Sequence, residues 1–332
     1  MIFIDNEGHT DPKLNLALEE HILRHFDAST DYLLFYINAP SIIIGRNQNT
    51  LEEINQEYIE ANNIHVVRRV SGGGAVYHDL GNLNFSFITN HDGKSISNFK
   101  KFTAPVIKVL NAMGVAAELK GRNDILVNEQ KISGTAQFST GKRMISHGTL
   151  LFNTDMSEVV KALQVKMSKI QSKGHKSVRS RVANISDFLE TPLSMTDFKS
   201  ELLQGLYEAS EPFETYRLTE AEWKAVYDLK AEKYDLWDWN YGRSPKFNIQ
   251  RNKRFPIGEI DLRIFVEKGH ISDFKIFGDF FGRQPVSDLE NLLIGVPYDK
   301  HEISKALESV AIEHYFGTLE KSDFLTLVYG ND

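Results

Sequence analysis

The sequence predicts an α+β protein: a strand-rich portion with its own helices, followed by a smaller α+β unit. Three observations carry that expectation. Short apolar or alternating runs recur between residues 31 and 152, separated by turn residues. Helical repeats with start and stop signals precede, interrupt and follow them. Beyond residue 246 an alternating hairpin gives way to short helical stretches.

Thr10-Asp11-Pro12 starts the first helix, where proline suits the opening turn, and Leu14, Leu18, Ile22 and Phe26 form one apolar stripe. Residues 31–37 (DYLLFYI) and 41–44 (SIII) are expected as buried strands, and 51–61 as a helix. Val66-Val67 leads into a glycine loop. After the loop, Leu83, Phe85 and Phe87 alternate with Asn82, Asn84 and Ser86, the pattern of a half-buried strand. Phe99, Phe102, Val106, Val109, Leu110 and Met113 mark a helix that stops at Gly114, with Pro105 awkwardly inside it. Strands are expected at 115–119, 124–128, 130–134 and 144–152. Thr196 opens a helix carrying Phe198, Leu202, Leu203 and Leu206, and Thr219-Glu220-Ala221-Glu222 is a capping box that opens another. The aromatic, aperiodic stretch WDWNYGRSPKF (237–247) marks a boundary, so two domains are expected, 1–245 and 246–332. In the second, Ile260, Leu262, Ile264 and Val266 alternate with Asp261, Arg263, Phe265 and Glu267, and Lys268-Gly269 turns the chain back toward Ile271 and Phe274.

Composition narrows the function. With 41% hydrophobic and 25% charged residues among 332, the chain can bury a sizeable core. A net charge of -7 argues against a dedicated nucleic-acid binder. The absence of cysteine excludes a thiol nucleophile and a cysteine-ligated zinc site. MIFIDNEG lacks the features of a signal peptide, and no apolar run reaches membrane-spanning length, so a cytoplasmic protein is expected.

Four constellations could carry chemistry. RRVSGGGAVYHDLGN (68–82) ends neither in Gly-Lys-Ser/Thr nor in a helix, so it is not a Walker loop or a dinucleotide fingerprint. Bare amides at Gly72–Gly74 and the forks of Arg68 and Arg69 suit an anion; a glycine-rich bulge beside two solvated arginines fits the same residues. In GRNDILVNEQKISGTAQ (121–137), Asn128-Glu129 is a plausible hairpin turn, and alternation puts Lys131 and Ser133 on one face with Ile132 on the other. Lys131 is then either a solvated strand lysine or a charge aimed into a site, and Asp124 either a turn residue or a metal ligand. In ISHGTLLFN (145–153), Ile145, His147, Thr149 and Leu151 share a face; His147 reads as a hydrogen-bonded core histidine or a site residue. From Val159 to Ser186 the chain carries Lys161, Lys166, Lys169, Lys173, Lys176, Arg179 and Arg181 and no acid, a solvated basic surface or a loop that meets phosphates or an acidic partner.

Taken together, RRVSGGGAVYHDLGN, GRNDILV (121–127), KISGTAQ (131–137), SHGTLLFN (146–153) and KSVRSRVANI (176–185) resemble the lipoate–protein ligase A family in order and spacing. YGRSPKFNIQRNKRFPIGEIDLRI (241–264) is similar to the start of that family's accessory domain. The resemblance implies a catalytic domain with a mixed, largely antiparallel sheet flanked by helices, akin to biotin ligases and class II synthetase cores, plus a small C-terminal α+β domain. It implies that lipoate and ATP give lipoyl-adenylate and pyrophosphate, and that a lysine of an acceptor lipoyl domain then attacks. The acceptors would be 2-oxoacid dehydrogenase subunits, the glycine-cleavage carrier protein, or both; neither nucleic acid nor membrane is implied. Lys131 matches the motif lysine that contacts lipoate and nucleotide. Arg69, Gly74, Ala75, Val76 and Tyr77 would meet ATP, Ser71, Gly72, Gly73 and His147 would border lipoate, and Asp124 would ligate Mg²⁺. The basic span would close over the adenylate. His78 and His147 match motif positions, their roles open.

Three other readings compete. A cysteine-free chain cannot run the thioester chemistry of ATP-independent lipoyl or octanoyl transferases. A non-catalytic lipoate or nucleotide carrier would have little reason to keep Lys131, Arg69 and the full loop together. Biotin ligation is disfavoured because no G-R-G-R-x-G-R loop is present.

Overall fold

The computed structural model describes residues 1–93, 95–163, 182–207, 213–242 and 247–330. Its strands are β1 (Ile2–Asp5), β2 (Tyr32–Ile37), β3 (Ser41–Ile44), β4 (His65–Arg68), β5 (Val76–His78), β6 (Asn82–Asn90), β7 (Glu118–Lys120), β8 (Asp124–Val127), β9 (Gln130–Ser139), β10 (Arg143–Leu151), β11 (Thr215–Arg217), β12 (Ile249–Phe255), β13 (Gly258–Glu267) and β14 (His270–Gly278).

Eight of them form one mixed sheet in the order β11-β1-β2-β6-β10-β9-β8-β7. The β1 pairings to β2 and β11 are parallel and the others antiparallel. Strand alternation splits the apolar side chains between two layers. On β2, Leu33 and Phe35 join Phe85, Phe87 and Ile125 beneath the helices Phe99–Ala112 and Met195–Leu206. Leu34 and Tyr36 turn the other way, onto Leu14, Leu18 and Ile22 of the helix Pro12–His25. A separate three-stranded sheet, β4-β3-β5, carries the glycine loop between β4 and β5. The meander β12-β13-β14 packs its own cluster of Ile260, Leu262, Ile264, Phe274 and Phe324 with the C-terminal helices.

Several expectations shift in register. The helix expected over 51–61 is a 3₁₀ turn, Thr50–Glu52, followed by the helix Gln56–Ala61. Asn55 restarts the helix by accepting the N–H of Tyr58. Val115 belongs to the end of the preceding helix, not to a strand over 115–119. Its N–H bonds the Leu110 carbonyl across Gly114 at φ +86°, a Schellman-type closure, and β7 begins only at Glu118. The helix expected from Thr196 is capped two residues earlier by Ser194. Pro105 is tolerated because it sits on the exposed side of its helix. Asn128 and Glu129 both take positive φ, 48° and 66°, as a two-residue hairpin turn requires.

The alternation argument for Lys131 and Ser133 fails. The β8–β9 register slips between Ile125 and Leu126, pairing Ile125 with Ser133 and Leu126 with Lys131. Ile132 is the extra residue of a bulge, so Lys131 and Ser133 take opposite faces. Ser133 faces the buried side with Ile125, and Lys131 is left free to turn outward. The boundary expected between 245 and 246 falls outside the described residues, as do 164–181, most of the basic span.

Candidate active site

The glycine loop folds around its own arginine. Arg69 is buried, and its Nε donates to Ser71 Oγ (3.0 Å), its Nη1 to the Ile43 carbonyl (3.0 Å), and its Nη2 to the carbonyls of Gly72 (2.7 Å) and Gly74 (2.8 Å). Burial lowers its pKa to about 10, so it remains a cation at neutral pH. Gly73 takes φ +94°, and a methyl there would meet Arg69 Nη2 at 2.9 Å and the Phe281 ring at 3.1 Å. Arg68 departs from the expected role as a phosphate fork. The residue is 1% exposed, and its guanidinium donates to the carbonyls of Gly45, Arg46, Gln48, Trp239 and Asn240 and to Thr50 Oγ1. Adjacent strand residues point opposite ways, and Arg68 points into the scaffold.

A cleft of about 630 Å³, counting its open mouth, lies between the loop and the β9–β10 face of the large sheet. Arg69, Gly73, Gly74, Ala75 and Val76 form one wall. Lys131, Gly134, Thr135, His147 and Thr149 form the opposite one. Leu16, Tyr36 and Ile43 supply an apolar part, and Phe281, from beyond β14, reaches the cleft as well.

The bulge that turns Lys131 outward also places its side chain across Gly134. A methyl on Gly134 would sit 2.8 Å from Lys131 Nζ and 3.0 Å from its Cε. Lys131 Nζ pairs with Asp124 at 2.8 Å, both half-exposed. The two motifs GRNDILV and KISGTAQ therefore meet across the β8–β9 pair.

Ser71, Gly72, Tyr77 and Asp124, all expected at the site, do not line the cleft. Ser71 is fully buried behind the loop, where its Oγ is 2.6 Å from His147 Nε2. Gly72 abuts the Phe280 carbonyl. Tyr77 turns inward onto Ile42 and Ile44, and burial pushes its hydroxyl well above the usual phenol range. His147 Nδ1 lies 2.9 Å from both carboxylate oxygens of Glu19. Ser71, His147 and Glu19 thus form a line of hydrogen bonds with the order of a hydrolytic triad. Burial of Ser71 keeps its hydroxyl from the cleft, so the line works as a strut from the helix Pro12–His25 to the glycine loop. Glu19, Tyr36 and Phe281 are not singled out by the sequence. Glu19 is an acid amid the apolar stripe of its helix, which is the one trace it leaves there.

Among the described residues no group of three or more His, Cys, Asp or Glu is placed to hold a metal. Asp124 is the carboxylate that pairs with the cleft lysine.

Comparison with known proteins fits this geometry. The family model "Lipoyl protein ligase A/B catalytic domain" matches residues 11–207, and "Bacterial lipoate protein ligase C-terminus" matches 244–328. The chain belongs to the lipoyl protein ligase A/B family. It is 57% identical to the lipoate-protein ligase LplJ of Bacillus subtilis, over 99% of this chain and all of that one. Its fold is similar to P. falciparum LipL1 solved in complex with lipoate, with a TM-score of 0.78, 26% identity, and 99% and 98% of the two chains covered. It is also similar to a lipoate-protein ligase A bound with ATP, with a TM-score of 0.61 and 32% identity over 70% of this chain and 94% of that one. The family's sheet with helices on both faces is the one found here, and no helix among the described residues is long and apolar enough to cross a membrane.

Proposed function

We propose that this enzyme is a lipoate–protein ligase that joins lipoate to ATP as lipoyl-adenylate, releasing pyrophosphate, and then passes the acyl group to a lysine of an acceptor lipoyl domain. The observation that carries the reading is the placement of Lys131 Nζ in a cleft walled by the amides of Gly73–Val76. A carboxylate attacking the α-phosphate brings two anions together, and charge grows on the phosphorus oxygens as the bond forms. A cation held across from bare backbone amides offsets both.

Lys131 takes the catalytic role, stabilising that charge and orienting acyl and nucleotide groups. Gly74, Ala75 and Val76 offer backbone to the nucleotide, and Tyr77, expected beside them, anchors the loop from within. Arg69 acts through the loop, whose carbonyls it holds. Ser71, Gly72, Gly73 and His147 shape the acyl side. A single carboxylate next to a phosphate site suits Mg²⁺, which prefers one or two carboxylates with waters and phosphate oxygens. Asp124 would hold it, and the ion would screen the triphosphate. In the transfer step the acceptor's neutral amine attacks the acyl carbon, AMP leaves with the electrons of the broken C–O bond, and the nitrogen's surplus proton passes to solvent.

The same reading assigns residues 1–245 to catalysis and 246–332 to an accessory domain, and places the enzyme in the cytoplasm with acceptors from 2-oxoacid dehydrogenases or the glycine-cleavage system. The test is incubation with ATP, Mg²⁺, lipoate and an acceptor lipoyl domain, followed by mass spectrometry. A gain of one lipoyl group on the acceptor supports the function; adenylate formation with no transfer, or binding alone, contradicts it.

A further inference from the structure

We infer that His78 is a substrate-binding residue, held by a buried line of asparagine amides in the Nε2–H tautomer so that it offers the acyl carboxyl an uncharged hydrogen-bond donor. The inference rests on the proposed function for its ligand, and on geometry alone for its tautomer.

The line is anchored on backbone atoms. Asn15, wholly buried on the helix Pro12–His25, has its Nδ2 at 3.0 Å from the His9 carbonyl and 3.3 Å from the Ile37 carbonyl. Only the NH₂ end of an amide can face carbonyl oxygens, so the orientation of Asn15 is fixed. That nitrogen also lies 2.9 Å from Asn38 Oδ1, which must be the accepting end of Asn38. The other end of Asn38, Nδ2, is 3.0 Å from His78 Nδ1. An amide NH₂ donates and cannot accept, so His78 Nδ1 accepts and the ring proton sits on Nε2. Asn6 closes the line behind, donating to the His9 carbonyl (2.9 Å) and to Asn15 Oδ1 (3.1 Å).

His78 lines the cleft, and among the described residues its Nε2 has no hydrogen-bond partner. Burial, with Arg69 and His147 as the ionisable groups facing it, lowers its pKa to about 3. The ring is therefore neutral at working pH, a donor that brings no charge. Phosphate oxygens are matched by Lys131 and the loop amides. A neutral donor suits a carboxyl oxygen, which surrenders its charge as the anhydride forms.

The tautomer is read by ¹⁵N NMR of the full chain, with His78→Gln assigning the ring. An unprotonated Nδ1 and protonated Nε2 at neutral pH are expected; a protonated Nδ1, or an imidazolium, overturns the inference. Calorimetry with lipoate and separately with ATP then compares wild type, His78→Ala and His78→Gln. Loss of one such donor weakens lipoate about tenfold in His78→Ala. Asn38→Asp, whose carboxylate accepts from Nδ1, should instead move the NMR signature to a protonated Nδ1, while His78→Gln, with an amide N–H near the Nε2 position, recovers most of the affinity and ATP binding is unchanged throughout. Equal loss in His78→Gln and His78→Ala, loss confined to ATP, or intact lipoate binding in His78→Ala overturns it. A wild type that binds no lipoate overturns the proposed function and the donor's target with it, and leaves the tautomer to stand or fall on the NMR.

Discussion

Lys131 owes its position to a residue three places on. Gly134 leaves the space through which the lysine side chain crosses the sheet, and a methyl there would press on Nζ and Cε, the mobile end of that chain. Gly134→Ala should therefore spare the fold while displacing the ammonium. Displacement of a reacting group by about 1 Å can cost about a hundredfold in rate. Pyrophosphate release should drop by roughly that factor with the melting temperature little changed; normal release would mean the lysine reaches its work another way. His78 gives a second test at this scale. Its pKa, about 3 when folded, lies below the value of an unfolded histidine, so the unfolded chain binds more protons between those values. The stability this neutral, buried ring contributes is present in full above about pH 6.5 and is lost as pH falls toward 3. Denaturant melts of His78→Gln should show a shallower loss than wild type in that window; parallel curves would place the titration elsewhere. Residue types at Arg69, Lys131 and His147 were legible because they sit in motifs whose order and spacing resemble a family's. Arg68 was not, since a single step past the end of β4 separates it, a scaffold residue, from Arg69 at the cleft, and only the fold says which is which.

At the scale of elements, strand and helix existence followed from apolar period, and the misses came where the period was interrupted. The β8–β9 bulge reverses the faces of Lys131 and Ser133, and no composition signal marks it. The closure at Gly114 takes Val115 out of a strand that its apolar side chain favours. The segment after β14 was also silent in sequence, yet it reaches the cleft. Phe281 packs edge-on against Phe99 at 5.7 Å, lies under the Arg122 guanidinium at 4.5 Å and covers Gly73. An apolar ring over the cleft mouth excludes water from a hydrolysable anhydride. Phe281→Ala should raise the AMP released without acceptor severalfold relative to lipoyl groups transferred. An unchanged ratio would make the ring a packing residue only.

Across the whole molecule, the C-terminal sheet has its own apolar cluster and, among the described residues, meets the rest through polar links as well as the Phe281 contacts. Arg263 Nη2 reaches Glu52 at 2.6 Å, Arg122 Nη1 the Ile257 carbonyl at 2.7 Å, and the Gly278 N–H the Asn47 carbonyl at 2.9 Å. These partners lie far apart in the chain, so alternation could announce two units but not how they meet. The function rests on what that assembly brings to one place: a lysine, a set of loop residues without bulky side chains, and a cleft with an apolar part at Leu16, Tyr36 and Ile43. The most direct measurement is pyrophosphate release from ATP and lipoate by Lys131→Ala, with its folded state confirmed by circular dichroism. Removing a group that stabilises charge in the transition state should slow release by at least about a hundredfold. Release at the wild-type rate from a folded variant would contradict the account.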